Sequence, residues 1–536
     1  MHDSTKTCDG YPEGAFQTAV TGNEGNIFPE ACPLPSSASG CFPPDQTPQD
    51  SVIQQMSASF GFHRPAYIKR LPPQLQDNDL RLLQANGALN IPHDALRDNL
   101  IKGYMLYIHP YMPVLDTECF LQAIFHQDNT NLVSLLLFQA VMFAGAAFAD
   151  WQHLRAAGFS TRREARKSFY ERAKMLYFMG SENDQLSLVQ AFLLLSLWSE
   201  CVDDPEGPKY WIGVCLEVAH TMGLNRDPRR YCNNIKYQRL CKRIWWSIYV
   251  REKQIELGFR QQATIVVTEC DVPLLEWEDF NYGSFSSQVL HALCGLRATY
   301  NSGNQRKLAA LFIEQTKLSI CIGDILAAQY TAGAQPIGGT GKLTLLPKRT
   351  TIDEDEVRRC DQLLQRWFDN IPDDIRHKPS PSSCSLTEGD RIVYLHSAVL
   401  KLMYLAASST LHRPIVTSHK SQFSSDTMAL SLSRVCPAGS RIATICKDLY
   451  DIGLTRYLST TATTFLLPAM TTLIMNMQSK GPDLYLEHFH HCKQILLQLQ
   501  DTYPLAEEAL NLVNFAAREA GVQIQTPPKD LSQHPF

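Results

Sequence analysis

Apolar residues recur along this chain at helical spacing almost from end to end. Leu132–Ala149 and Leu186–Trp198 are apolar on nearly every face, which predicts helices at the centre of a large helical core. Ser160–Met179 is amphipathic, with Arg162, Arg163, Arg166 and Lys167 near its start. A helix beginning near His93 should stop before His109-Pro110, because proline lacks an amide donor and clashes with the preceding turn. Pro208 opens a helix holding Trp211, Val214, Val218 and Met222, and Gly223 suits its left-handed cap. Lys236–Leu257 follows, with Gly258 expected to end it.

Further helices are expected over 286–330, 353–369, 387–411, 438–454, 459–478, 482–502 and 504–520. The intervening loops are Thr331–Thr350, Asn370–Ser385 and Ile415–Pro437, the last Ser-rich and expected to be mobile. Thr264–Thr268 is the best strand-like run, but it stands alone. The fold class is therefore all-α, a large multi-helix array. Residues 1–60 carry Pro, Gly, Ser, Asp and Gln without periodic apolar positions, so they read as a disordered leader. Residues 61–525 read as the folded domain, and 526–536 as a flexible tail.

Composition narrows the function classes. A formal net charge of −5 gives the chain no global attraction to nucleic acid or to an acidic membrane surface. The 16 cysteines include no Cys-x-x-Cys pair, and many, such as Cys201, Cys215 and Cys241, sit in apolar stretches. They read as free thiols in a reducing compartment. No basic-then-apolar leader opens the sequence. Leu132–Ala149 is interrupted by Ser134 and Gln139, so it reads as a buried helix rather than a membrane span.

Catalytic and metal signatures are sparse. The serine-hydrolase elbow is absent. Gly338-Gly339-Thr340-Gly341-Lys342 imitates a phosphate loop, but position 336 is Pro where a glycine is needed, and Leu343 replaces the magnesium-holding hydroxyl. His488, His491 and Cys492 share one helical face and are the best zinc candidate, with no fourth ligand evident. His109 and His220 stand alone beside apolar residues and read as core or boundary packing rather than catalytic groups. The pairs Asp203-Asp204 and Asp373-Asp374 and the cluster Asp353–Glu356 fall in turns or at helix starts, where negative charge favours the helix. Lys236, Arg239, Lys242 and Arg243 line one helical face. Such a stripe is either a phosphate contact or the border of a core containing Ile244, Trp245 and Ile248, and the acids Glu252 and Glu256 that follow favour the border. No catalytic, cofactor-binding or metal residue is assigned, and DNA-contacting residues are unassigned.

One run carries a family resemblance. It comprises Trp211–Asp227, then Lys242-Arg243-Ile244-Trp245-Trp246-Ser247-Ile248-Tyr249-Val250-Arg251-Glu252, then Cys270-Asp271-Val272-Pro273 and Glu278-Asp279-Phe280. With Pro65–Pro73, Gly87-Ala88-Leu89, Tyr107–Asp116, Val189–Trp198, Leu411-His412-Arg413-Pro414 and Ala438–Met475, it resembles the fungal-specific transcription factor domain, the middle homology region of zinc-cluster regulators. Within that family it is most similar to cutinase transcription factor-like proteins. Gly223-Leu224-Asn225-Arg226-Asp227, Arg251-Glu252 and Gly258-Phe259-Arg260-Gln261 depart mildly from the family pattern.

The resemblance implies a nuclear, non-enzymatic regulator of a pathway-specific gene set, either a secondary-metabolite cluster or lipid and cutin use. It also implies other regulators or coactivators as partners, with room for a small-molecule effector and a homodimer, and no membrane. The family's six-cysteine zinc cluster is not matched: Cys8, Cys32 and Cys41 fit no zinc spacing, and Lys6 is the single basic residue of the first 60. An indirect route to DNA and no cofactor are therefore expected, with zinc entering only if an upstream exon encodes the cluster. The alternative expectation is a non-nuclear interaction or ligand-sensing protein on the same fold.

Overall fold

The structure is a computed structural model. It describes residues 64–522 apart from 127–130, 261–269, 281–284, 294–295, 335–342, 349–351, 380–385, 419–422 and 482–483. The expected leader, the tail, the strand-like Thr264–Thr268 and the phosphate-loop lookalike at 338–342 thus lie outside the described residues.

The architecture is all-α. In chain order the helices are α1 (Asp77–Ala85), α2 (Asp94–Tyr107), α3 (Thr117–His126), α4 (Leu135–Ala146), α5 (Trp151–Ala156), α6 (Arg162–Phe178), α7 (Gln185–Leu195), α8 (Pro208–Thr221), α9 (Ile235–Phe259), α10 (Ser287–Ala292), α11 (Leu296–Thr299) and α12 (Ser302–Gln329). After a short hairpin come α13 (Glu354–Asp369), α14 (Glu388–Thr417), α15 (Ser425–Asp451), α16 (Ala462–Lys480), α17 (Leu486–Leu499) and α18 (Pro504–Glu519).

In the N-terminal half, α4 is the axis. Every one of its residues is buried, and it packs on α2, α6 and α7. Its two polar interruptions have structural work: Ser134 Oγ caps the helix by accepting from Leu137 N, and Gln139 Nε2 donates to the carbonyls of Ala88 and Asn90. The α2–α4 crossing is close because Gly145 faces Leu100, where a Cβ would stand 2.0 Å from the Leu100 carbonyl oxygen. In the C-terminal half, α14 is the axis, packed on α12, α13, α15 and α16. It is long and apolar enough to span a membrane, yet 78% of its apolar window is buried inside the fold. Helix α9 joins the halves by touching α8, α12 and α16. Buried side chains from Tyr67 to Ala517 form one hydrophobic cluster.

Several expectations are corrected. Residues 331–350 are not simply a loop: β1 (Tyr330–Ala334) pairs antiparallel with β2 (Leu343–Pro347), Tyr330 opposite Pro347. Buried Tyr330 and Leu345 pin the pair, and Leu345 N donates to the Arg260 carbonyl. The expected mobile loop 415–437 is mostly helix, because α14 runs through Pro414 and α15 starts at Ser425 and runs through Pro437. Pro414 frees the carbonyl of Thr410, and Tyr330 Oη donates to it at 3.1 Å. The serines there cap and bridge: Ser424 caps α15 and also donates to Glu354. Gly258 does not end α9. The helix runs to Phe259, and Arg260 takes the left-handed cap at φ 55°. Gly258 instead permits contact with α16, since a Cβ would lie 2.5 Å from Thr464 Oγ1. The 286–330 stretch is broken into α10, α11 and α12.

Candidate functional site

The run from Trp211 to Phe280 is built as a latch around α9. Asn234 caps that helix by accepting from Tyr237 N, and its middle turns bury Ile244, Trp245, Ile248 and Tyr249. The basic stripe turns inward as it climbs. Lys236 is exposed and pairs with Glu118 at 2.8 Å, while Arg239 is half-buried. Lys242 is buried against Asp279, at 2.6 Å. Arg243 donates to three carbonyls: Pro113 (3.2 Å), Leu115 (3.2 Å) and Asp279 (2.6 Å). The two buried cations of the stripe therefore hold the fold together and present no phosphate-binding surface, which favours the core-border reading.

The remaining motifs lock onto one another. Asp227 N donates to Asp271 Oδ1 (2.9 Å) while Asp271 N donates to the Asn225 carbonyl (3.2 Å), so the Gly223–Asp227 turn and the Cys270–Pro273 segment clasp reciprocally. Arg230 adds an ion pair to Asp271 at 3.1 Å. Trp246 Nε1 donates to the Pro273 carbonyl (2.9 Å), and Glu276 N donates to Asp279 Oδ2 (2.9 Å). Trp211 is fully buried, and its indole N–H donates to Tyr170 Oη at 3.0 Å. Gly223 adopts φ 70° just past α8, as its cap role requires.

Of the two lone histidines, His109 sits in the core and His220 is exposed. His109 is buried beside a small crevice with Pro113, Phe280 and Tyr300, and burial, with Arg243 nearby, pushes its pKa down to about 3. It is neutral at physiological pH. His220 lies on α8 with its ring 6.0 Å from that of Trp245. The zinc candidates diverge: Cys492 is buried, hydrogen-bonded with Cys446, while His491 approaches Glu487 at 3.9 Å on the helix's outer side. Among the described residues no three metal-ligating side chains converge. Asp353 caps α13 through Asp355 N, and Asp204 Oδ1 accepts from Glu206 N at 3.0 Å, the turn and helix-start roles their positions suggest.

One polar constellation is invisible in the linear sequence. His412 Nδ1 lies 3.0 Å from Ser431 Oγ, and its Nε2 lies 3.0 Å from Asp361 Oδ1. Arg434 forks onto the same carboxylate at 3.0 and 2.9 Å. Against desolvation, which pushes it up, the hydrogen bonds from His412 and Arg434 hold the Asp361 carboxyl below its ordinary range. The order Ser–His–Asp imitates a hydrolase triad. However, Ser431 and His412 are completely buried, Ser431 sits within α15, and neither the crevice beside His109 nor the one beside Arg166 reaches them. The network ties α13, α14 and α15 together.

Comparison with known proteins places this architecture. Residues 101–337 match the family described as the fungal specific transcription factor domain. The chain is 34% identical over 475 residues to cutinase transcription factor 1 beta of Fusarium vanettenii, covering 86% of this chain and 54% of that protein. It is 32% identical over 495 residues to a transcription factor of Fusarium pseudograminearum, covering 89% and 55%. It is 30% identical over 499 residues to transcription factor cpaR of Aspergillus oryzae, covering 91% and 81%. The chain thus spans a little over half the length of the first two relatives, and these relatives are transcription factors rather than enzymes. With the family match running through the α9 latch, and a 30% identical relative covered over 81% of its own length, the chain belongs to the fungal-specific transcription factor domain family.

Proposed function

We propose that the protein is a nuclear transcription regulator of a pathway-specific gene set, working through its helical domain and reaching promoters by way of a partner DNA-binding regulator. The observation that carries the indirect route is the inward turn of the α9 stripe. Lys242 and Arg243 are consumed by Asp279 and by backbone carbonyls, which leaves that face without the several free cations that phosphate binding needs. The regulated genes belong to a secondary-metabolite cluster or to lipid and cutin use, a reading supported by the relative named for cutinase. A small effector, a coactivator and a second copy of the chain are the partners this reading carries.

Deletion of the gene with transcript profiling, together with imaging of a tagged protein, tests it. A coherent set of changed transcripts and nuclear residence is expected. Unchanged transcripts with cytoplasmic residence would sink the regulator reading in favour of a non-nuclear sensor. Nanomolar, sequence-specific promoter binding by the purified chain at near-physiological salt would sink the indirect route.

A further inference from the structure

Between Asp227 and Glu252 the chain carries seven Lys or Arg and no acid. Lys242, Arg243 and Arg251 are buried, but Arg229, Arg230 and Lys236 are exposed. These three stand on one folded corner, where a single 3-10 turn (Pro228–Arg230) leads into the start of α9. Tyr231 N and Cys232 N both donate to the Pro228 carbonyl, at 3.2 and 3.1 Å, and Asn234 N donates to Cys232 Sγ at 3.3 Å. Gln238 Nε2 closes the corner by donating to the Cys232 carbonyl. Hydrogen bonds thus fix the backbone here, while residues 229–237 other than Cys232 stay exposed.

Each of the three cations has an acid beneath it. Arg229 pairs with Asp227 at 2.7 Å, Arg230 with Asp271 at 3.1 Å and Lys236 with Glu118 at 2.8 Å. The cations are 64–68% exposed, against 11%, 30% and 34% for those acids. An approaching molecule therefore meets the positive ends first. A guanidinium has five N–H donors, so Arg229 and Arg230 can each take a second carboxylate without releasing the first. Asp116, Glu276 and Asp279 act on Arg229 or Lys236 more weakly than the paired acids do. Tyr231 and Ile235, both well over half exposed, stand in sequence between Arg230 and Lys236. Tyr beside Arg is the composition that protein–protein contacts favour.

The combination selects the occupant. A nucleic acid gains affinity from several cations that neutralise its phosphates, and each cation here is already paired. A second copy in a two-fold contact would set this corner on itself, cation against cation. An acidic segment bearing apolar side chains complements both the charge and the apolar pair. We propose that this corner docks such a segment of a partner protein, its carboxylates on Arg229, Arg230 and Lys236 and an apolar side chain over Tyr231 and Ile235. The occupant names the chemistry of the partner in the function proposed above and rests on that reading.

The probe is a short fluorescein-labelled peptide in which Asp or Glu alternates with Leu or Phe. It is titrated with the full-length chain by fluorescence anisotropy at near-physiological salt. One control peptide carries Ser in place of Leu and Phe, a second carries Lys in place of the acids, and a labelled DNA duplex is the third control. Saturable binding of the acidic, apolar peptide, at least about tenfold tighter than any control, is expected. Tyr231→Ser, Ile235→Ser and Lys236→Gln together should weaken it at least about tenfold while melting near the wild-type temperature. Phe515→Ser, at an exposed position of α18, should leave it unchanged. No saturation, equal binding of a control peptide, tighter binding of the duplex, or an unaltered affinity in the triple variant would overturn the docking corner. If the triple variant melts early, a benzophenone on the peptide maps the contact on the native chain: cross-links within 229–237 support the corner, and cross-links confined to other segments overturn it. Peptide docking without any transcript change on deletion would count against the regulator reading alone. Transcript control without peptide docking would count against this corner alone.

Discussion

Replacing Arg243 with methionine separates the two meanings of a basic stripe on α9. Arg243 is 5% exposed, and its guanidinium is spent on the carbonyls of Pro113, Leu115 and Asp279. Methionine keeps much of the apolar stem, so the cavity term is small. The three carbonyls lose their donor, and a buried acceptor left unpaired costs about 1–3 kcal/mol. Against this, the mutant no longer holds a desolvated guanidinium, which offsets part of the loss. The net is a destabilisation of about 3 kcal/mol, read as a fall in melting temperature of roughly 5 °C for a domain this large. Lys236→Gln removes only the surface pair with Glu118 and should change stability by less than about 1 kcal/mol. Calorimetry and urea unfolding of the full-length variants provide the measurement. An R243M protein that melts with wild type would refute the latch. If the same variant also lost affinity for DNA, the stripe would be a phosphate contact after all.

Three further outcomes follow from the geometry. Gly145→Ala places a Cβ 2.0 Å from the Leu100 carbonyl oxygen, so the α2–α4 crossing must open. A loss of at least about 3 kcal/mol, seen as poor soluble yield or early melting, is expected, and a neutral variant would contradict the crossing. Burial holds His109 at about 3 and His396 at about 4, while both titrate near 6.5 when unfolded. The stability from keeping them neutral is complete above that value and drains as pH falls toward the folded pKa values. Between pH 7 and 5 each forfeits about 2 kcal/mol, so melting temperature should fall by several degrees, and a flat profile would refute the assignment. Ser431→Ala should cost about 1 kcal/mol by removing one partner of His412. It should also leave hydrolysis of an activated ester at the same background rate as wild type, whereas a rate that falls with the mutation would make the constellation catalytic.

The helices of the core were legible because their apolar positions surround them, as at Leu135–Ala146, where even Ser134 and Gln139 have local polar roles. The prolines misled. Pro414 and Pro437 read locally as helix breakers, but the carbonyl freed by Pro414 is bonded by Tyr330, whose partner Thr410 is 80 residues away in sequence. No local pattern carries that compensation. Arg260 misled in the same way: its left-handed backbone is held by tertiary contact, including the Leu345 N–H on its carbonyl, and glycine statistics pointed to Gly258 instead. The His412 network joins positions 51 and 19 residues apart, so spacing rules could not find it. The available signal was a histidine inside the apolar stretch Leu402–Ile415. A buried imidazole requires partners, and a search for them would have led to an acid and a hydroxyl elsewhere.

The residues that identify the chain most sharply are thus those that hold its shape, and this locates where function can act. Trp246, Lys242 and Arg243 fix the segment 273–280 and the chain leaving α2 onto α9. Two turns further along the same helix, Arg251 grips Ser196. The adjacent carbonyl, Leu197, belongs to Arg166, and Arg166 reaches Thr502 at the entrance to α18. A continuous polar chain therefore runs from the α9 latch through the end of α7 to the C-terminal helices.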